Sequence, residues 1–195
     1  MEDTISFNHL LVAQFNLQQK FLYLIDREIM NANNGLPASI IIKLNNLEER
    51  VLINKLYDAS NAGVKMQLIV RSICCLVPGV EGMSENITIK RIVGRHLEHG
   101  RIFIFHNGGD TQVFMGSADW MNRNIYTRIE VCFPVYDEQI KQQIIKIINL
   151  QLADNTQAVW IDQTLQNVPV ERKEDEMVLD SQSAIYQLLE NASIR

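Results

Sequence analysis

The chain has 195 residues, of which 47% are hydrophobic, and a formal net charge of −5 at pH 7. This length can bury a sizeable core in one domain, and the acidic balance argues against a protein that binds duplex nucleic acid through a broad basic face. The sequence lacks both an apolar run of about 18 residues and the basic, then apolar start of a signal peptide, so we expect no transmembrane segment, no nucleic-acid partner and a cytoplasmic protein, with or without peripheral attachment to a membrane.

The first half of the chain predicts alternating strands and helices. A short strand at 10–13 is followed by Asn16 as a helix N-cap and by apolar residues at helical spacing to about Asn33. A β-branched strand occupies 39–44, Asn46 precedes a helix with Glu48 and Glu49 in its first turn, and a second strand occupies 65–70. Strand, helix and strand in this order form a βαβ unit, so the two strands should be parallel and the fold class α/β.

The second half begins with an irregular loop at 72–85 and a strand at 87–89. A hairpin then joins strands 102–105 and 112–115 through Asn107-Gly108-Gly109-Asp110. A strand at 127–131 is expected to carry Arg128 and Glu130 on one face. Asp137 predicts the start of a helix, a strand follows at 157–161, and a polar loop at 162–178 leads to a closing helix at 180–191. The inward face of the Asp137 helix is predicted to contain Ile140, Ile144, Ile147 and Ile148.

Three cysteines, Cys74, Cys75 and Cys132, form neither a C-x-x-C motif nor an even disulfide framework. We expect them to be reduced thiols packed in the core. Trp120 is likewise expected to pack in the core.

The ends of the two parallel strands carry polar residues. Ligands of open parallel sheets bind beyond the carboxyl ends of the strands, where Lys43 and Asn45 follow the first strand and Arg71 follows the second. An arginine fork matches a phosphate group and stays charged. These residues therefore predict an anion site, although a surface arginine at a strand end would look the same.

The hairpin supplies the other half of this site. Alternation along a strand places His99 and Arg101 on the same side, and the returning strand delivers Ser117 and Asp119 toward the same end. An imidazole can attack phosphorus or transfer a proton near neutral pH, an arginine can hold two phosphoryl oxygens, and a carboxylate can orient the imidazole. The set suits phosphoryl chemistry.

With these residues in view, the chain resembles the polyphosphate kinases, specifically the last of that family's four domains. The resemblance covers roughly residues 7–165. It rests on several motifs in one order: Leu10-Leu11-Val12-Ala13, Lys43-Leu44-Asn45, Ile69-Val70-Arg71-Ser72, Gly94-Arg95-His96-Leu97-Glu98-His99, Asn107-Gly108-Gly109-Asp110, Gly116-Ser117-Ala118-Asp119-Trp120-Met121 and Arg128-Ile129-Glu130-Val131.

That family transfers the terminal phosphate of ATP reversibly to inorganic polyphosphate through a phosphohistidine. The resemblance implies a phospholipase D-like fold with a mixed, partly parallel sheet, in which the last two domains each give one histidine to a shared site. Since the phosphorylated histidine belongs to the preceding domain, His99 is implied to be the second histidine, acting as an acid/base or a transition-state stabiliser. The resemblance also implies that Arg71 binds a phosphate of the nucleotide. Taken together with the strand positions, we expect an ATP and phosphate site of Arg71, His99, Arg101, Lys43 and Asn45, with Ser117, Asp119, Arg128 and Glu130 in support.

The implied partners are ATP or ADP, polyphosphate and the other polyphosphate kinase domains, with the full-length protein a homo-oligomer. Mg²⁺ should accompany ATP and be bound mainly outside this chain, which is expected to contain no metal site of its own. Residues 1–165 would form the phospholipase D-like domain and 166–195 its polar loop and closing helix. Because it holds half a site, the isolated chain is expected to be inactive.

Some residues depart from the family patterns. Gln14 stands in place of proline and Ser72 in place of glycine. Against the phospholipase D pattern, Arg101 replaces lysine, Asp119 replaces asparagine, and the Gly-Ser turn lies 17 residues (116 − 99) beyond His99, a longer spacing than usual. Two alternatives are therefore kept: a homodimeric phospholipase D-like phosphodiesterase or nuclease, and a non-catalytic anion-binding module.

Overall fold

The computed structural model describes residues 6–193, and within them a nine-stranded sheet is flanked by helices on both faces. Residues 1–5 and 194–195, at the outer ends of the two predicted domain ranges, lie outside the described residues. The helices are α1 (Leu17–Asn33), α2 (Arg50–Asn61), α3 (Asn122–Tyr126), α4 (Glu138–Ala153) and α5 (Ser181–Ser193). The strands are β1 (Leu11–Val12), β2 (Ser39–Leu44), β3 (Lys65–Val70), β4 (Ile87–Ile92), β5 (Arg101–Phe105), β6 (Gln112–Gly116), β7 (Val131–Val135), β8 (Ala158–Ile161) and β9 (Asn167–Pro169).

The sheet is mixed, with strand order β1-β7-β6-β5-β2-β3-β4-β8-β9. The central strands β2, β3 and β4 are parallel, whereas their neighbours on both sides are antiparallel. The predicted βαβ unit is confirmed by the parallel pairing of β2 with β3, and the predicted hairpin by the antiparallel pairing of β5 with β6. The α/β class with a partly parallel sheet is therefore confirmed.

Each face of the sheet has its own apolar core because neighbouring residues of a strand point to opposite faces. One face packs against α1 and α2, where Phe21 contacts Phe103 and Trp120. Trp120 is fully buried, as expected. The other face packs against α4 through Ile144 and Ile148.

The start of α2 differs from the prediction. Glu48 and Glu49 precede the helix, and the Glu49 carboxylate is its N-cap, accepting hydrogen bonds from the amides of Val51 and Leu52 at 3.0 and 2.8 Å. Asn46 does not cap the helix because its side chain binds Asp119 instead. Leu47 remains extended, bridging to residues of two other segments.

The predicted strand at 127–131 was wrong. The chain forms α3 before this segment, and the strand β7 begins only at Val131 and includes Pro134. Proline lacks a donor and is disfavoured inside a sheet. It is accommodated because β1 pairs only with Val131 and Cys132, so Pro134 has a paired strand on one side only.

Smaller differences lie near the carboxyl end and at single residues. The predicted polar loop contains β9, which pairs with β8. Ile140 of α4 is 52% exposed rather than inward-facing, and Cys75 is exposed rather than packed in the core. Asn16 precedes α1 as predicted, but its side chain binds the backbone of residues 10 and 12 instead of capping the helix.

The resemblance implies proline at the position of Gln14, and the backbone of Gln14 explains why proline would not fit here. Its φ is +68°, whereas a proline ring fixes φ near about −65°. A proline could therefore not adopt the backbone conformation that position 14 has in this structure.

None of the helices within residues 6–193 has both the length and the apolar character that a membrane-spanning helix needs.

Candidate functional site

The predicted site residues meet at one edge of the sheet. Register places the end of β2 beside the end of β3 (Leu44 opposite Val70) and beside the start of β5 (Lys43 opposite Ile102). The start of β5 in turn lies opposite the end of β6, with Arg101 paired to Gly116. Segments distant in sequence thus place their polar residues at one edge of the sheet. We call this edge, formed by the ends of β2, β3 and β6 and the start of β5, the rim.

Gly116 at this rim allows β7 to approach closely. A Cβ atom at this position would lie 2.3 Å from the Cys132 Sγ and 2.4 Å from the carbonyl oxygen of Val131. These separations are far below any normal contact, so only glycine fits. The glycine of the Gly-Ser turn is therefore explained by packing, without a role in chemistry.

Asp119 is the centre of the hydrogen-bond network at the rim. The residue is 4% exposed, and its side chain accepts hydrogen bonds from the Asn45 amide at 2.9 Å and from the Asn46 Nδ2 at 3.0 Å. The Arg101 Nε and Nη2 each donate to it at 3.2 Å. This paired geometry joins the strand ends of β2, β5 and β6.

Arg71 has one edge of its guanidinium fixed and the other free. Its Nε donates to the Asn45 Oδ1 at 3.0 Å, while neither Nη atom has a hydrogen-bond partner within residues 6–193. The side chain is partly exposed. A guanidinium held in this way presents two parallel donors, the arrangement that binds two oxygens of a phosphate.

His99 lies in the loop before β5, since that strand begins at Arg101. Its carbonyl oxygen accepts a hydrogen bond from the Arg101 Nη1 at 2.7 Å, and the residue is exposed. The alternation argument therefore does not apply to His99, which lies outside the strand. The expectation that a carboxylate orients the imidazole was also wrong, because no hydrogen bond in the described part of the chain engages this ring, and Asp119 binds Arg101 and residues after β2 instead.

A partly buried ion pair joins the histidine loop to β2. The Lys43 Nζ is 2.5 Å from the Glu98 Oε2. Burial lowers the pKa of Lys43, an effect that the Glu98 charge opposes and the nearby Arg71 charge reinforces. Burial alone would raise the pKa of Glu98, but the Lys43 charge and its hydrogen bond, with further hydrogen bonds from Gln182 and Gln151, hold it below its usual value.

Two of the predicted supporting residues are in contact, and a third is not. The Ser117 hydroxyl donates to the Glu130 carboxylate, which also accepts a hydrogen bond from the Asn124 Nδ2 at 2.6 Å. Arg128 is exposed, and its carbonyl oxygen accepts a hydrogen bond from Gln14. Glu130 and Arg128 therefore do not share a strand face, since both precede β7.

Sequence reasoning missed several residues that complete the site. Asn46, Glu98 and Asn124 each share a hydrogen bond with a predicted member, namely Asp119, Lys43 and Glu130. Gln151 and Gln182 in turn donate to Glu98. Of these residues, only Glu98 could have been found from the sequence, because it is adjacent to His99. The others are amides whose role depends on tertiary contacts.

Lys43, Asn45 and Arg101 each have protein partners at the rim, although the buried Asn45 Nδ2 has none within the described residues. All three donor nitrogens of the Arg101 guanidinium bind protein acceptors, and Lys43 is paired with Glu98. Their binding of phosphate stays a prediction. Within residues 6–193, no group of three or more histidine, cysteine or acidic residues is arranged to hold a metal ion.

Comparison with known proteins identifies the family. The family model "Polyphosphate kinase C-terminal domain 2" matches residues 10–182. The chain belongs to the polyphosphate kinase family. It is 51% identical over 187 residues to the polyphosphate kinase of Vibrio vulnificus (strain YJ016) and 44% identical to that of Escherichia coli (strain K12), in each case covering 96% of this chain and 27% of the relative.

Solved structures agree with this assignment. The crystal structure of polyphosphate kinase from Porphyromonas gingivalis matches with a TM-score of 0.93 at 45% identity, over 96% of this chain and 28% of that one. The phospholipase D family member Nuc from Salmonella typhimurium matches with a TM-score of 0.56 at 12% identity, over 78% of this chain and 97% of that one. The second match shows the fold alone, and it confirms the predicted phospholipase D-like fold. The chain spans about a quarter of the length of the curated polyphosphate kinases it matches.

Proposed function

We propose that this chain acts as the carboxyl-terminal catalytic domain of an enzyme that transfers the terminal phosphate of ATP reversibly to inorganic polyphosphate. In this proposal a phosphohistidine is carried by a preceding domain, and this chain supplies Arg71 and His99 to the shared site. Support comes from its 51% identity over 187 residues to a protein named polyphosphate kinase. The motifs of the resemblance imply that Arg71 and His99 correspond to site residues of the family.

One structural observation carries the proposal. A continuous series of hydrogen bonds runs from Arg71 through Asn45, Asp119 and Arg101 to the carbonyl oxygen of His99, with separations of 3.0, 2.9, 3.2 and 2.7 Å. The Asp119 carboxylate and the Arg101 guanidinium inside the series are bound by protein groups. Within residues 6–193, no hydrogen bond engages the Nη atoms of Arg71 or the imidazole ring of His99, the groups at its two ends. A rigid frame with a free guanidinium edge and a free imidazole suits an anion held between them.

The roles of these two groups follow from the demands of phosphoryl transfer. A loose, metaphosphate-like transition state needs alignment and charge neutralisation more than covalent assistance. The free Nη atoms of Arg71 would hold phosphate oxygens, and the His99 imidazole would donate a proton or hydrogen bond to the leaving or entering oxygen. Lys43, paired with Glu98, and Arg101, paired with Asp119, would keep the rim rigid together with Asn45.

Magnesium is expected to accompany ATP in this reaction. The described residues offer no cluster of carboxylates suited to a hard cation, so they do not fit a resident metal. We therefore assign its ligands to the phosphates and to residues outside this chain, and no step here depends on it.

The proposal includes partners for this chain. The other polyphosphate kinase domains would complete the site, and the full-length protein would be a cytoplasmic homo-oligomer, with or without peripheral membrane attachment. The isolated chain holds half a site, so we expect the purified 195 residues to synthesise no polyphosphate from ATP. Synthesis at the rate of a complete enzyme would contradict this view.

A chimaeric enzyme tests the site residues. The matching segment of the Escherichia coli enzyme, which is 44% identical, is replaced by this chain, and polyphosphate synthesis from ATP is followed. We expect an active chimaera in which His99→Ala lowers kcat by about 100-fold or more, within the usual range for acid–base catalysis, and Arg71→Ala raises the KM for ATP about tenfold. His9→Ala and Arg123→Ala, outside the site, are the matched controls.

The outcomes separate the alternatives. Activity of the His99→Ala chimaera equal to that of the His9→Ala control would refute the proposed role of His99. Metal-free hydrolysis of bis(p-nitrophenyl) phosphate by the isolated chain, lost in His99→Ala, would favour the phosphodiesterase instead. Binding of tripolyphosphate that depends on Arg71 but not on His99, without any turnover in the chimaera, would favour an anion-binding module.

A further inference from the structure

The loop that carries His99 is held by a side chain from the closing helix. The loop joins β4 to β5, and Gln182 lies in the first turn of α5. The Gln182 Nε2 donates to the His96 carbonyl oxygen at 2.7 Å, and the His96 amide donates to the Gln182 Oε1 at 2.9 Å. One side-chain amide thus satisfies both backbone groups of His96, as a neighbouring strand would.

The same amide also fixes the residue next to His99. The Gln182 Nε2 donates to the Glu98 Oε1 at 3.0 Å. The other oxygen of Glu98 accepts hydrogen bonds from Lys43 of β2 and Gln151 of α4. Side chains from three separate elements therefore hold the carboxylate of Glu98 in place, and the loop has little freedom between His96 and His99.

Gly94 provides independent evidence that the Gln182 side-chain amide is tightly packed against the loop 94–99. A Cβ atom at position 94 would lie 2.7 Å from the Gln182 Oε1 and 2.9 Å from its Cδ. The φ of Gly94 is not in the left-handed region, so backbone conformation does not require glycine. Glycine is needed because a Cβ atom at position 94 would occupy the space of the Gln182 amide.

The helix that presents Gln182 is itself anchored at its start. The buried Asp154, which follows α4, accepts a hydrogen bond from the Ser181 amide at 2.7 Å. The other Asp154 oxygen accepts from three backbone amides that lead into β8. The position of Gln182 is thus fixed relative to both α4 and the sheet.

We propose that Gln182 is a positioning residue that sets the conformation of the loop 94–99 and so places the His99 imidazole for phosphoryl transfer. This inference rests on the proposed function of His99. Gln182 binds the backbone of the loop and Glu98, so it would act on the reaction through the loop that carries His99. Displacement of a reacting group by about 1 Å can reduce a rate by about 100-fold.

The kinetic test uses the same chimaeric enzyme. We expect Gln182→Ala to lower kcat about tenfold or more and to leave the KM for ATP within about twofold, since Arg71 is undisturbed. Gln187→Ala is the matched control because it removes an exposed glutamine from the same helix. Equal kcat values for Gln182→Ala and Gln187→Ala, with His99→Ala inactive, would overturn the inference.

A double variant tests the mechanism. Gly94→Ala should displace the Gln182 amide and lower kcat by a similar factor, and the Gly94→Ala/Gln182→Ala pair should be no worse than either single variant, because both changes remove one interaction. Effects that multiply would show that the two residues act separately and would contradict the inference.

A spectroscopic readout separates this inference from the proposed function. In ¹H–¹⁵N spectra of the 195-residue chain, Gln182→Ala should shift the amide signals of residues 94–99 and leave those around Arg71 unchanged. Signals of 94–99 that do not move would refute the positioning role whatever the kinetics. If these signals move but His99→Ala retains full activity, Gln182 does position the loop, but the proposed catalytic role of His99 is refuted. The proposed effect of Gln182 on catalysis is then refuted as well.

Discussion

Replacing Asp119 by asparagine should destabilise the rim of the sheet strongly. The carboxylate accepts four hydrogen bonds, two at each oxygen. Asparagine keeps one acceptor oxygen, which can still serve the Asn45 amide and the Arg101 Nε. Its NH₂ group would face the Asn46 Nδ2 and the Arg101 Nη2. Both contacts would then join a donor to a donor, so two hydrogen bonds would be lost, and the Arg101 guanidinium would lose its negatively charged partner.

The magnitude follows from burial. Asp119 and Arg101 have side chains only 5% and 21% exposed, so solvent replaces little of what is lost. Removing one partner of a buried pair typically costs about 3–5 kcal/mol, and we expect the lower half of that range because one oxygen is retained. Asp119→Asn should therefore lower the free energy of unfolding by about 3 kcal/mol.

Urea unfolding at pH 7, followed by circular dichroism and tryptophan fluorescence, measures this loss. Asp58→Asn on α2 is the control, since that side chain is exposed and its nearest cation is 3.8 Å away; its effect should stay within about 0.5 kcal/mol. A loss for Asp119→Asn no larger than that of the control would show that the carboxylate does not organise the rim.

Three further predictions follow from packing and ionisation. Gly116→Ala should cost about 3 kcal/mol in urea unfolding because its Cβ would meet the backbone of β7, whereas Gly100→Ala, whose Cβ would meet nothing closer than 3.5 Å, should not destabilise; equal values would refute the close-approach argument. Iodoacetamide at pH 8 should modify the exposed Cys75 before Cys132, since burial raises the pKa of the Cys132 thiol to about 12; mass spectrometry showing equal rates would contradict this. Since the folded-state pKa of Glu98 lies below 4.5, its contribution to stability is present above that pH and is lost as the pH falls through the folded-state pKa; Glu98→Gln should flatten this part of the pH profile of the unfolding free energy, and an unchanged profile would rule the contribution out.

Local patterns were sufficient for much of this fold. The bounds of α1, β2 and β3 and the hairpin of β5 and β6 follow from hydrophobic spacing and from glycine and proline near the ends, all of which act over a few residues. The strand order of a βαβ unit then placed Arg71 at the carboxyl edge. Where a residue's partners are distant, local patterns gave no signal: the Asn46 side chain binds Asp119, 73 positions away.

The sequence by itself determined the fold class, the family and the residues that carry charge toward the rim, because periodicity, turn residues and ordered motifs are all local properties. Only the tertiary structure decided which of those residues are free and which are occupied. Arg101 and Lys43 have protein partners, whereas Arg71 keeps two donors. The His99 loop is fixed by hydrogen bonds from Gln182, which lies 84 positions beyond Glu98. A contact over that separation forms only once the sheet and its two flanking layers have assembled.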